Sequence, residues 1–483
     1  MDSALTIIPC AASSWEISSD GKEYIFHLRN DIFFHDSPCF PQNAGRRLVA
    51  SDFRYSFQRI LDPRVASPGK WVLNYLDIEN PRHPGGIVAE NDSTLRIFLR
   101  NAFPPFLGIL TMPYCVAVPH EAITYYGKEF GQNPVGTGPF KFKLWRQEEK
   151  LILLKNEKYF ETDSEGNALP YLEGISIRFI KDKQSEFLEF LSGKIDFLSG
   201  IHSSYKDELL TVTGHLNPSY SDRFYLLTGP YLNTEYLGIL ADTSLPAMKD
   251  NPLRFPEVRK AINYGFDRRK MLQYLRNNLG TPAEKGIVPY GIPFFDHSMF
   301  DGYQYKPDTA RQLLVKAGFP EGKGLEGIVL TTTSDYLDLC EFIQYELAGI
   351  GINLKLEVMT GAGFRNTVAN SGLPFFRASW IADYPDPENY LSLFHSDNFS
   401  PAGPNYTHFR SGLFDSLYTE SIRTSDEHLR LMLYSSMDQI IMQHAAIVPL
   451  FYDRLVRIVS SDVEGFDINP LNLLVIKHVK KKM

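Results

Sequence analysis

Cysteine is scarce in this chain: Cys10, Cys39, Cys115 and Cys340 are the only four in 483 residues. No two stand in a CxxC spacing, which speaks against a zinc ribbon or a redox pair, and four scattered thiols name no compartment. Long apolar runs are missing as well. The longest candidate, Ile440 to Tyr452, is broken by Gln443 and His444 and falls short of the ~18 residues that a membrane-spanning helix needs. There is no basic excess, since 49 Lys plus Arg face 57 Asp plus Glu for a net charge of −8. That balance argues against nucleic acid as the main partner, because phosphate neutralisation needs clustered cations. The one basic run, Lys477, Lys480, Lys481 and Lys482, reads as a solvated tail. The opening MDSALTIIPCAA has an acidic flank and no Lys or Arg, unlike a secretory signal. Internal repeats and low-complexity tracts are not seen.

What is present is globular material. Hydrophobic residues make up 43% and charged residues 22%, which excludes a disordered chain, and the length suits about two or three domains. Tyr24, Phe26 and Leu28 alternate with Ile25, His27 and Arg29, and Leu95, Ile97 and Leu99 with Thr94, Arg96 and Arg100, so both stretches predict half-buried strands. Between them Ser51 reads as an N-cap, with Phe53, Phe57 and Ile60 on one helical face before Pro63. The run Asn133 to Phe140 is half Gly and Pro and predicts a fixed turn. Strands follow at Leu151 to Leu154 and Ile175 to Ile180, then a helix with Phe187, Leu188 and Leu191 that Gly193 stops. From about residue 250 the texture becomes helical. Pro256 occupies a first turn, Asp267 restarts a helix, and Asp308 to Lys316 is closed by Gly318. Ile328 to Thr332, the stripe Tyr336, Leu339, Cys340, Ile343 and Leu347, and Leu354 to Val358 then form a strand, helix and strand in about 30 residues, a βαβ crossover. This alternation predicts the α/β class.

Chemistry-bearing motifs are few. Gly322 to Gly327 matches GxGxxG, but a helix precedes it and a strand follows, the reverse of a dinucleotide site, so it reads as an αβ loop. Gly136-Thr137-Gly138 is too short for a phosphate loop, and neither GxSxG nor HExxH occurs. His27, His35 and Asp36 are conceivable metal ligands, with a surface reading favoured. The segment Arg377-Ala378-Ser379-Trp380-Ile381-Ala382-Asp383-Tyr384-Pro385-Asp386-Pro387-Glu388-Asn389-Tyr390 stands out. Aromatics beside carboxylates on a proline-stiffened loop can hold a cationic group. Paired carboxylates could also serve a glycosidase, and a plain acidic surface loop is the third reading.

Taken in order, Trp15-Glu16 to Asp20-Gly21, Tyr24 to Arg29, Phe34-His35-Asp36, Ala50 to Phe53, Asn133 to Lys141, Gly193 to Asp196, Val258 to Asn263, Asp267-Arg268 and the Trp380-x-x-Asp383-Tyr384 segment resemble a known family. It is that of the extracytoplasmic solute-binding proteins of oligopeptide and dipeptide ABC importers, the family 5 solute-binding proteins. The resemblance runs from about Ser14 to the C-terminus and implies an α/β, two-lobed flytrap fold, type II-like, with an extra domain inserted in the first lobe. Carried onto this chain, the first lobe is 1–21, 147–235 and 446–483, the extra domain 22–146 and the second lobe 236–445.

The same resemblance implies roles for particular residues. Asp383 would grip a peptide's α-ammonium, and main-chain groups around Ser379 and Ile381 would pair with the peptide as an added strand. Trp380 would line a side-chain pocket, Arg377 would lie near the ligand's carboxyl end, and Trp71 and Tyr75 would face ligand from the extra domain. The implied partners are a peptide, an ABC permease and its ATPase subunits. The implied protein is a monomeric, extracytoplasmic, non-enzymatic receptor without cofactor or metal. Two departures stand out. Thr331-Thr332-Thr333-Ser334-Asp335-Tyr336 lacks the Arg of dipeptide binders and the His of some oligopeptide binders, which disfavours a free dipeptide. Only residues 1–14 precede Trp15, where the family has a secretion signal and an early strand, so a shortened first lobe with an exposed sheet edge is expected. Rival readings keep the fold with a metal chelate, haem, sugar or opine as ligand, or make the chain a hydrolase using Asp383, Asp386 or Glu388, or a sensory or chaperone-like protein.

Overall fold

The computed structural model describes residues 1–202 and 204–482. Strands β1 (Ala12–Ile17), β2 (Glu23–Leu28), β3 (Ile87–Asn91) and β4 (Thr94–Phe98) form an antiparallel sheet in the order β1-β2-β4-β3. The period-two residues Tyr24, Phe26, Leu95 and Ile97 are buried on its inner face, against Phe57, Val72, Leu73, Phe103 and Phe106. Each such side chain contributes about 1.5–3 kcal/mol by leaving water. This cluster is the core of the segment expected to form the extra domain. Its boundary differs from the expectation: β1, assigned to the first lobe, pairs with β2 from Ala12 to Ile17 and belongs to this sheet.

Three further details differ. The helix Ala50–Leu61 is capped at Val49 rather than Ser51, and the Asp52 carboxylate accepts the Val49 amide at 2.9 Å. His35 is buried rather than on the surface. Its Nε2 donates to the Gly138 carbonyl at 2.9 Å and its amide donates to Gly136, which ties the predicted turn to the segment after β2. The lysine run is not a free solvated tail. Lys477 pairs with Glu161, Lys481 with Asp196, Lys482 with Glu464, and Lys480 lies 3.9 Å above the Tyr171 ring.

A three-stranded antiparallel meander follows, β5 (Phe140–Arg146), β6 (Lys150–Lys155) and β7 (Gly174–Arg178). Seven further strands share one mixed sheet: β8 (Phe197–Ser199), β9 (Phe224–Ile239), β10 (Thr281–Pro282), β11 (Val329–Thr332), β12 (Lys355–Val358), β13 (Phe375–Ile381) and β14 (Ile447–Ser460). Their order is β10-β14-β9-β13-β11-β12, with β8 beside β14. The predicted crossover is present, since β11 and β12 are parallel and the helix Leu337–Ala348 between them buries Leu339, Cys340, Ile343 and Leu347. The GxGxxG run precedes β11, and Gly322 packs so close to Gly351 that a Cβ would meet its carbonyl at 1.8 Å, a structural reason for glycine there.

β9 and β14 run antiparallel through both lobes. One end, with β8, covers a core of Phe187, Phe190, Leu198, Phe224 and Ile458. The other end covers Leu237, Ile239, Ile262, Leu330, Ile343 and Val448 in the second lobe. The ladder breaks between them: Pro230 faces Arg454 and Thr234 faces Tyr452, so Tyr231, Leu232 and Asn233 oppose Asp453 alone. Such a bulge bends paired strands and marks the crossing between lobes. The extra domain also touches the second lobe, because the Tyr384 ring is buried in its core and Gly108 approaches the Tyr384 Cβ.

Candidate functional site

A cavity of about 820 Å³ lies at this crossing. One wall comes from Lys183, Gly200 to His202, Lys206 and Leu210 and from Asp453, Arg454 and Val456, the other from Leu275 to Asn277, Leu279 and Ser334, Asp335, Tyr336 and Asp338. The second wall is the carboxyl end of β11 and the start of its crossover helix, the place where open α/β sheets bind ligands. Of the cations lining it, Lys206 pairs with Asp207 and Asn277 and Lys183 with Glu186, whereas Arg276 and Arg454 form no salt bridge among the described residues, although the Arg276 charge reaches Asp453. The Arg276 guanidinium lies 5.5 Å from the Phe451 ring, and its Nε is buried with no hydrogen-bond partner among the described residues. Asp453 sits in the bulge, and burial raises its pKa although Asn233 donates to it at 3.3 Å.

The predicted segment adjoins this crossing. β13 pairs with β9 from Phe375 to Ile381 on one edge, but on the other it meets β11 only at Phe376. From Ala378 to Ile381 that second edge carries no strand among the described residues. The loop after β13 is fastened to the bulge, since Ala382 N–H donates to the Leu232 carbonyl at 2.8 Å and the Tyr390 hydroxyl to the same oxygen at 2.7 Å.

Asp383 is open to solvent and forms no ion pair among the described residues. Protein packed around it nevertheless raises its pKa, with Asn389 acting in the opposite sense. Asp383 is not among the residues that line the 820 Å³ cavity itself. Ser379 and Trp380 are half-buried, Ile381 is 47% exposed, and the Trp380 indole donates to Asn389 at 2.8 Å. Arg377 is buried. Its guanidinium donates to Glu235 and lies 3.1 Å from the centre of the Tyr336 ring. Burial raises the Glu235 pKa even against that arginine.

Tyr75 stacks on Phe103 at 3.8 Å, and its hydroxyl is held well above the ordinary tyrosine pKa by burial and by the nearby Glu388 carboxylate, which brings it to the loop. Trp71 packs half-buried against the extra-domain core. Glu388 is itself sequestered, with the hydroxyls of Tyr384 and Tyr418 donating to its two oxygens. Among the described residues no group of three or more His, Cys, Asp and Glu could hold a metal ion.

Sequence reasoning did not single out Glu235, Asn389, Arg276 or Asp453. Glu235 lies in the buried half of a long strand, where a charge needs a partner.

The family model "Bacterial extracellular solute-binding proteins, family 5 Middle" matches residues 6–401. The chain is 28% identical over 496 aligned residues to the periplasmic oligopeptide-binding protein OppA of Salmonella typhimurium, spanning 97% of this chain and 85% of that protein. It is 26% identical over 477 residues to the glutathione-binding protein GsiB of Escherichia coli, with the same coverage of 97% and 85%. Among solved structures, DppA of Helicobacter pylori in complex with the peptide STSA has a TM-score of 0.78 and 26% identity, covering 100% of this chain and 90% of that one. The family match spans most of the chain and the two-lobed architecture agrees with it, so the chain belongs to the family 5 bacterial extracellular solute-binding proteins.

Proposed function

We propose that this protein captures peptides between its two lobes outside the cytoplasm and delivers them to a membrane permease powered by ATPase subunits. The observation that carries this reading is the cavity of about 820 Å³ lined from both lobes at the β9–β14 crossing, within the size range of ligand pockets. The free edge of β13 offers main-chain groups to an extended peptide, a mode that accepts many side chains. Asp383 supplies the charge for an α-ammonium, and Arg276 supplies the counter-charge for a carboxylate. A ligand touching both lobes favours the closed arrangement by its differential affinity. Relatives that bind oligopeptides, glutathione and STSA support a peptide ligand. The sequestration of Glu388 beneath two tyrosines weighs against a paired-carboxylate hydrolase, which needs both acids facing a cleft.

A thermal-shift screen with pools of di- to pentapeptides, sugars and metal chelates tests this. Peptide pools are expected to raise the melting temperature by mass action. Stabilisation by sugars or chelates, with peptides inert, sinks the reading.

A further inference from the structure

We propose that Asn389 is a positioning residue of the binding site, whose one carboxamide oxygen fixes the Trp380 indole and the Asp383 main chain relative to each other and so sets the preference for a free α-ammonium. This rests on the peptide reading above.

Asn389 is 4% exposed, and its Oδ1 accepts from Trp380 Nε1 at 2.8 Å and from Asp383 N–H at 3.1 Å. The residues beside it are anchored on both sides. Glu388 is held by the hydroxyls of Tyr384 and Tyr418, and Tyr390 donates to the Leu232 carbonyl in the interlobe bulge. The oxygen therefore has little freedom of its own, and what it bonds is fixed with respect to the bulge. The two donors are separated along the chain by a change of direction, from the end of β13 to the loop. One shared acceptor spans that corner. Loss of the oxygen leaves an indole N–H and an amide N–H to find new partners, and each does so by moving. A pocket wall and an ammonium-binding carboxylate that move independently lose the orientation that preorganised binding requires.

The test uses calorimetry with trialanine and N-acetyl-trialanine on the wild type, Asn389→Leu and Asn389→Asp. The wild type is expected to prefer the free amine about tenfold or more. Asn389→Leu is expected to lose that preference with a melting temperature near the wild type, whereas Asn389→Asp, which keeps an acceptor oxygen, retains it. Equal weakening of both peptides in Asn389→Leu, or an unchanged preference, overturns the proposal. Should Asn389→Leu fail to fold, loss of the preference in a folded Asn389→Asp overturns it too. A wild type indifferent to acetylation refutes the role of Asp383 instead. Asn389 is then judged by indole emission with Trp15, Trp71 and Trp145 replaced by Phe: a shift in Asn389→Leu but not in Asn389→Asp supports the proposal, and no shift overturns it.

Discussion

Arg377 stands diagonally across from Glu235 on paired strands: Arg377 faces Leu237 while Glu235 faces Ser379, and the guanidinium donates to the carboxylate. Asn233 donates to the same acid at 3.0 Å and reaches Asp453 at 3.3 Å, so the pair is continuous with the interlobe bulge. The family resemblance implied that Arg377 lies near a ligand's carboxyl end. In this fold its charge is already met by Glu235, which is why the proposal above gives that task to Arg276, a cation of the cavity with no salt bridge among the described residues.

Breaking this pair from one side strands a buried charge. Arg377→Met is expected to lower stability by about 3–5 kcal/mol in urea unfolding, and the double variant Arg377→Met with Glu235→Leu to recover part of that loss. A single variant as stable as the wild type contradicts a buried, paired arginine.

Asp383→Asn keeps size and removes charge. Affinity for peptides with a free amine is expected to fall about tenfold or more, with N-acetylated peptides little changed, as read by calorimetry. Because the Asp383 pKa is raised, free-amine affinity in the wild type also weakens on acidification as the carboxylate takes up a proton.

Arg276→Gln addresses the opposite pole. Peptides with a free carboxyl terminus are expected to lose about tenfold in affinity while C-terminally amidated peptides change little. Equal losses for both would assign Arg276 to the packing against Phe451 instead.

Buried acids make stability fall with rising pH. Burial pushes the Glu388 pKa from 4.5 to about 7, and Asp386 adds to that rise. The hydroxyls of Tyr384 and Tyr418 act against it, and the Tyr75 hydroxyl lies in the same field. The folded protein thus holds a proton that the unfolded chain releases between these values, and the stabilisation present at low pH is lost as pH rises through about 7. Asp438, raised from 3.8 to about 7 by burial, acts in the same sense, and His297, lowered to about 4, acts oppositely. Glu388→Gln removes one contribution. Its stability relative to the wild type is expected to improve by roughly 3 kcal/mol between pH 4.5 and neutrality, measured by urea unfolding at each pH. A constant difference across that range would contradict the shift.

Alternation from Glu23 to Leu28, the crossover of β11, the helix Leu337–Ala348 and β12, and the helix starts at Pro256 and Asp267 were all readable in the sequence. Those features follow from steric rules acting within a few neighbouring residues. Asp383 and Trp380 became candidates only through resemblance, since an aromatic acidic loop alone fits several chemistries. The pairing of β1 with β2, the partnership of Glu235 with Arg377 across 142 residues, the shared oxygen of Asn389 and the place of Arg276 in a cavity wall were decided by tertiary structure. Which strand edges meet and which charges are left without a partner depends on packing between distant segments, and local backbone preference carries no record of that.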